Sequence, residues 1–182
     1  MLSSLLIWTD LIIAILLIAG FVGAYLRKKL SLFHLQLFGL GILLGALWEW
    51  PLYWIGPEFS TSPPYRLLHP FPLHPITQPV SHMIWDGGLF MGGIFFVESV
   101  LPRPHFQSFS WVELGVYVIW GIGSALLFEI LGAMGIWEYI PSNWNPELFQ
   151  INGKSITALA PATWLIAPIF HYILAIILKK RS

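Results

Sequence analysis

The stretch SHMIWDGGLFMGG, residues 81–93, places His82 and Asp86 four positions apart at the start of a strongly apolar run. On a helix, positions i and i+4 share a face, so the two side chains lie within reach of each other. A carboxylate beside an imidazole raises its basicity and fixes its orientation, as a general base requires. Two further acids, Glu49 and Glu129, interrupt equally apolar runs; Trp48 and Trp85 directly precede Glu49 and Asp86, and Trp137 and Trp164 follow Glu129 further along the chain. A carboxylic acid kept neutral by apolar surroundings can protonate a carbon–carbon double bond. The carbocation that results is stabilised by aromatic faces through the ring quadrupole. Glu129, Asp86 and Glu49 are therefore candidate acids, His82 a candidate base, and the four tryptophans candidate substrate contacts.

Composition decides which elements hold these groups. Of 182 residues, 57% are hydrophobic and only 10% charged, far below the roughly 25% charge of soluble domains. No cysteine is present, so neither a disulfide framework nor thiolate chemistry is available. The formal net charge is zero, which argues against nucleic acid as a partner. The expected fold is an all-α integral membrane protein forming one domain over residues 1–182.

A spanning helix needs about 20 mostly apolar residues. Five segments qualify, at about 5–26, 33–55, 79–101, 111–133 and 159–178. The first is followed directly by Arg27, Lys28 and Lys29 and lacks a basic leader, so it reads as a retained helix rather than a signal peptide. With the N-terminus outside, the cytoplasmic side receives those three residues with Arg103, Lys179, Lys180 and Arg181, whereas the outer side receives only Arg66 and Lys154. That asymmetry follows the positive-inside rule and predicts an N-out, C-in bundle of five helices, in the plasma membrane of a prokaryote. The Pro-rich segment 56–78 is expected to form an irregular outer cap. Asn152-Gly153 between β-prone flanks predicts a small hairpin at 148–158.

At about 1.5 Å of rise per residue, Glu49, Asp86, Glu129, Asp10 and Thr163 all fall about 6 to 10 Å outward of their span midpoints. Asp10 belongs to the same layer but, close to the N-terminus, lies near the surface, whereas Glu98 and Glu113 sit near helix ends where snorkelling to water is easy. Ionisable groups within a bilayer normally face the bundle interior and mark function. Thr163 shares their layer and joins the candidate substrate contacts. The glycines at 87, 88, 92 and 93, like Gly41 and Gly45, suit close helix packing.

Residues 128–164, FEILGAMGIWEYIPSNWNPELFQINGKSITALAPATW, run from an intramembrane acid through Gly-Ile-Trp-x-Tyr to a helix-opening proline. This order resembles the repeated half of the membrane-embedded lycopene cyclases and the related carotenoid hydratases. The resemblance would make Glu129 the acid, Gly135, Trp137 and Tyr139 the aromatic motif and Pro161 the helix-opening proline, adding Tyr139 to the substrate contacts. Where those families carry an acidic pair, this chain has Thr163 and Trp164. The implied substrate is a lipophilic isoprenoid, handled by a cyclase, hydratase or double-bond isomerase that needs no cofactor and no metal. One alternative is a non-catalytic pigment-, quinone- or lipid-binding subunit with a membrane-protein partner or in a homo-oligomer, His82 and His171 serving as axial ligands. A third is a zinc-dependent hydrolase using His82, Asp86, Glu129 and His171.

Overall fold

A computed structural model describes residues 2–69 and 73–181. It contains five long helices, α1 (Leu2–Leu26), α2 (Leu32–Trp54), α3 (Thr77–Val100), α4 (Trp111–Ala133) and α5 (Leu159–Lys179). All five are long and apolar enough to cross a membrane, and their bounds lie within a few residues of those expected. Prolines and polar caps set the ends. Pro79 sits in the first turn of α3, where its missing N–H is harmless, and Pro51 sits in the last turn of α2. Ser110 caps α4 by accepting from the Glu113 amide at 3.4 Å, and the buried Asn145 side chain caps α5 by accepting from the Leu159 amide at 2.9 Å.

Helices pack where glycine lets backbones approach. A methyl group added at Gly41 of α2 would come within 3.0 Å of the Gly87 α-carbon on α3. Gly92 and Gly93 of α3 lie against the Trp120 and Tyr117 rings of α4, and Gly88 lies against Leu17 of α1. The glycines thus serve packing, as their spacing suggested. Gly45 is different, because the side chain in its notch is that of Asp86.

One end of the bundle carries the basic residues Arg27, Lys28, Lys29, Arg103, Lys179, Lys180 and Arg181, and the other carries the cap. The Asn152-Gly153 hairpin forms between β3 (Glu147–Ile151) and β4 (Lys154–Thr157), with φ of 51° and 74° at its two turn residues. Both angles lie in the left-handed region that a two-residue primed turn demands. The Pro-rich segment is not wholly irregular. Its β1 (Tyr65–Leu67) pairs antiparallel with β2 (Trp137–Tyr139), in the register Tyr65 to Tyr139, Arg66 to Glu138 and Leu67 to Trp137. Alternation along these short strands divides the side chains between two faces. Tyr65, Leu67, Trp137 and Tyr139 line a cavity beneath, while Arg66 and Glu138 pair on the other face at 2.6 Å.

The tightest core lies toward the basic end. Leu37, Phe90, Met91, Ile94, Val97, Tyr117 and Tyr172 are buried there around His171, and Phe106 from the α3–α4 loop closes the end. Glu113 does not snorkel, contrary to expectation. It is buried and accepts from the Phe106 amide at 3.2 Å and from the Tyr172 hydroxyl at 2.9 Å. Glu98 pairs with His34 of α2 at 3.2 Å.

Candidate functional site: an acid-lined cavity under the cap

A cavity of about 500 Å³ opens under the β1–β2 roof at the cap end. Its size falls within the range of small-molecule sites. All five helices contribute. Helix α1 supplies Thr9 and Asp10, α2 supplies Trp48 and Glu49, and α3 supplies His82, Trp85 and Asp86. Glu129 comes from α4, Thr163 and Trp164 from α5, and Trp137 and Tyr139 from the roof. Every candidate acid, base and substrate contact named from the sequence therefore lines one cavity. Helical periodicity explains the α3 contribution, since positions 78, 82, 85 and 89 recur at three- and four-residue steps.

The polar groups divide into an engaged set and an open one. The His82 ring stands between two carboxylates, its Nδ1 3.3 Å from Glu49 Oε2 and its Nε2 3.7 Å from Asp10 Oδ2. The Ser81 hydroxyl donates to the same Asp10 oxygen at 2.7 Å, and the Trp85 indole donates to the Asp10 backbone carbonyl at 3.0 Å. Glu129 is 7% exposed, and its Oε2 accepts from the Trp137 indole at 3.4 Å. Asp86 is equally buried, yet its Oδ2 has no hydrogen-bond partner among the described residues.

Two expectations need correcting. His82 and Asp86 do not form the anticipated i, i+4 hydrogen bond. The imidazole reaches across to α1 and α2, and the Asp86 carboxyl turns into the notch left by the missing side chain of Gly45. Asp10 is not a surface residue reaching for headgroups. It lines the cavity, its side chain is 14% exposed, and it flanks the imidazole.

His171 belongs elsewhere. It is 0% exposed, with Nδ1 2.6 Å from the Tyr117 hydroxyl, Nε2 3.0 Å from the Leu37 carbonyl, and its ring stacked on Phe90 at 4.6 Å. The Nε2 atom faces a carbonyl, so it carries the ring hydrogen there. Both nitrogens are committed, and neither can ligate zinc or a pigment. Among the described residues no three His, Asp or Glu side chains converge to hold a metal ion. The zinc set with His171 and the paired axial-ligand arrangement therefore lose a member.

The aromatic wall is built from packed ring pairs. Trp48 meets Trp164 edge to face at 6.2 Å, Trp164 leans on Phe90 at 5.0 Å, and Trp85 meets Phe128 at 5.2 Å. Trp137 stands 5.8 Å from the His82 ring. The Thr163 hydroxyl donates to the Leu159 carbonyl of its own helix at 3.0 Å, so it offers a ligand only its acceptor side. In the roof, burial pushes the Tyr65 phenol up to about 12 and the Tyr139 phenol well above its ordinary value. Both therefore stay neutral hydroxyls through the physiological range. On the roof's other face burial alone would raise Glu138, but hydrogen bonds from Arg66 and Lys154 hold it below the usual carboxylate range.

Sequence reasoning missed Gln78, Tyr53, Tyr65 and Phe128 as lining residues. Gln78 and Tyr53 carry a signal that could have found them, since each lies four residues from a named site residue on the same helix, His82 and Glu49. Tyr65 carries none, because a three-residue strand in a Pro-rich segment shows no period. Comparison of the chain with models of known protein families, with curated proteins and with solved structures finds no match, so the functional reading rests on this cavity.

Proposed function

We propose that the chain is an intramembrane enzyme that performs acid–base chemistry on a carbon–carbon double bond of a lipophilic isoprenoid, as a carotenoid-type cyclase, hydratase or double-bond isomerase. The observation that carries this reading is one aromatic-walled cavity holding four carboxyl groups and one imidazole within helices apolar enough to span a membrane. Glu129 is the acid. Its Oε2 is oriented by Trp137, which leaves Oε1 to carry the transferable proton. The proton adds to one alkene carbon and leaves a cation on the other, facing Trp48, Trp85 and Trp164. Loss of a neighbouring proton to His82 gives a shifted double bond; if a second double bond of the same molecule first attacks the cation to form a carbon–carbon bond, the same proton loss gives a ring, and neither path changes the number of protons. Capture of water, followed by loss of its proton, gives an alcohol. Asp10 and Glu49 hold the imidazole in place from two other helices. The resemblance to lycopene cyclases and carotenoid hydratases would make Glu129 the acid and Trp137 part of the aromatic motif; in this chain the Trp137 indole donates to Glu129.

We place the cap outside and the basic end in the cytoplasm, on the distribution of Lys and Arg. A cytoplasm-dependent reporter fused after residue 181 is then active and one inserted at residue 61 is silent. The chemistry is tested by incubating the purified protein with isoprenoid and carotenoid precursors in deuterated water. Turnover through proton addition puts solvent deuterium into product or recovered substrate, and Glu129→Gln abolishes it. Absence of both product and exchange across that series overturns the reading in favour of a binding subunit.

A further inference from the structure

We propose that the cavity takes a lipophilic organic cation, an amine or quaternary ammonium group on a hydrocarbon body, with the charged nitrogen beside Asp86. This goes beyond the catalytic reading and stands even if the chain only binds its ligand. The first observation is the charge balance of the cavity wall. Asp10, Glu49, Asp86 and Glu129 face it, none of its described lining residues is Lys or Arg, and the only basic group is His82. That imidazole already lies between Asp10 and Glu49, and Glu129 already accepts from Trp137. Asp86, which has the Trp48 indole beside it, is what remains.

The second observation is independent of that count. Asp86 lines the cavity, and its buried Oδ2 has no donor among the described residues, a costly state for a carboxyl oxygen. That oxygen packs into the room left by Gly45, where a methyl group would sit 2.6 Å from it. The cavity is therefore the side from which a compensating positive group can approach the carboxyl. A neutral hydroxyl could supply a hydrogen bond but would make no use of the indole faces of Trp48, Trp85 and Trp164. An ammonium group uses both, through a charge-assisted hydrogen bond or ion pair and through cation–π attraction in a water-poor site. A bare metal ion lacks the required cluster of ligands among the described residues.

The test uses the full chain in nanodiscs of neutral lipid, with three probes on one ten-carbon skeleton: N,N-dimethylgeranylamine, geraniol and geranic acid. Binding is read from tryptophan fluorescence, with empty nanodiscs subtracting partition into lipid. The amine is expected to bind at least ~10-fold more tightly than the alcohol, and the acid most weakly. Asp86→Asn should bring amine and alcohol to within about 2-fold by weakening the amine alone, while Asp86→Glu keeps the preference. Equal binding of amine and alcohol to the unaltered protein overturns the proposal, and needs no variant to fold. A preference that survives in Asp86→Asn overturns it too. Either result, with Glu129-dependent deuterium exchange intact, leaves the enzyme reading standing. Loss of that exchange with the amine preference intact does the reverse.

Discussion

The two histidines inside the bundle, His82 and His171, sit in environments that could hardly differ more. His171 lies in the half nearer the basic end, where every polar atom on the ring has a partner and the ring itself stacks on Phe90. Glu113, in the same half, has its oxygens taken by the Phe106 amide and the Tyr172 hydroxyl. His82 lies in the half nearer the cap, between two carboxylates on the wall of a cavity, 5.8 Å from the Trp137 ring and one turn from a carboxyl oxygen with no partner among the described residues. A polar residue within a membrane helix is therefore not by itself a site. What separates His82 from His171 is whether the polar groups around each close on one another or remain open to a cavity. Closed networks in low dielectric rigidify a core, and open ones leave something for a ligand to supply.

The largest expected effect is on the open half. Glu129→Gln keeps the shape and the hydrogen bond from Trp137 but removes the transferable proton, so turnover should fall at least ~100-fold, the usual scale for a general acid. The thermal unfolding midpoint should barely move, because a neutral amide is no harder to bury than a carboxyl group. His171→Ala should invert this pattern. It empties a packed site and strips a partner from Tyr117 and from the Leu37 carbonyl, at a cost of roughly 2–4 kcal/mol. Turnover per folded molecule should stay within a few-fold of the unaltered protein. Should His171→Ala abolish turnover at unchanged stability, the division between the halves would fail.

A smaller effect sharpens the boundary of the cavity. Asp10→Asn removes a charge beside His82 while preserving a group that can still accept from Ser81. Asp10 orients the base without touching substrate, so turnover should drop about 5- to 20-fold, less than for the acid itself. Turnover equal to that of the unaltered protein would return Asp10 to the surface role that its position in the chain first suggested.

Much of this arrangement is legible in the sequence, and the illegible part has a physical pattern. Five apolar runs of the right length, divided by basic clusters and prolines, give the helices, because the demand of a bilayer for satisfied backbone leaves little else. Asn152-Gly153 gives its hairpin, because few pairs accept two left-handed angles. Depth along each helix places Glu49, Asp86 and Glu129 in one layer, and all three line the cavity. Partners are another matter. Spacing says that His82 and Asp86 can meet, but not that a glycine on another helix offers Asp86 a better place. Nor does spacing show that Glu113, near the end of its helix, is covered by a loop returning through Phe106. Contacts between elements decide these, and the local period carries no trace of them.

The smallest effect belongs to the outer face of the roof, where the same carboxylate chemistry serves only structure. Glu138 pairs with Arg66 at 2.6 Å and Lys154 at 3.1 Å, tying β1 and the hairpin to β2 above the cavity. Its pKa lies below the ordinary value, since the two cations outweigh burial. A carboxylate whose folded value is depressed contributes stability that is present above its unfolded pKa, about 4.3, and lost as pH falls through the folded value. Acidification from about pH 5 to pH 3 should therefore loosen the roof in the unaltered protein, by no more than about 1 kcal/mol for so accessible a pair of cations. Glu138→Gln should show the same small deficit already at pH 7 and lose that part of the acid dependence. Hydrogen exchange at the β1 and β2 amides reads this directly. Exchange there that is unchanged by both acid and Glu138→Gln would mean that the roof is held by Tyr65, Leu67 and Trp137 from below, and that its ion pairs are incidental.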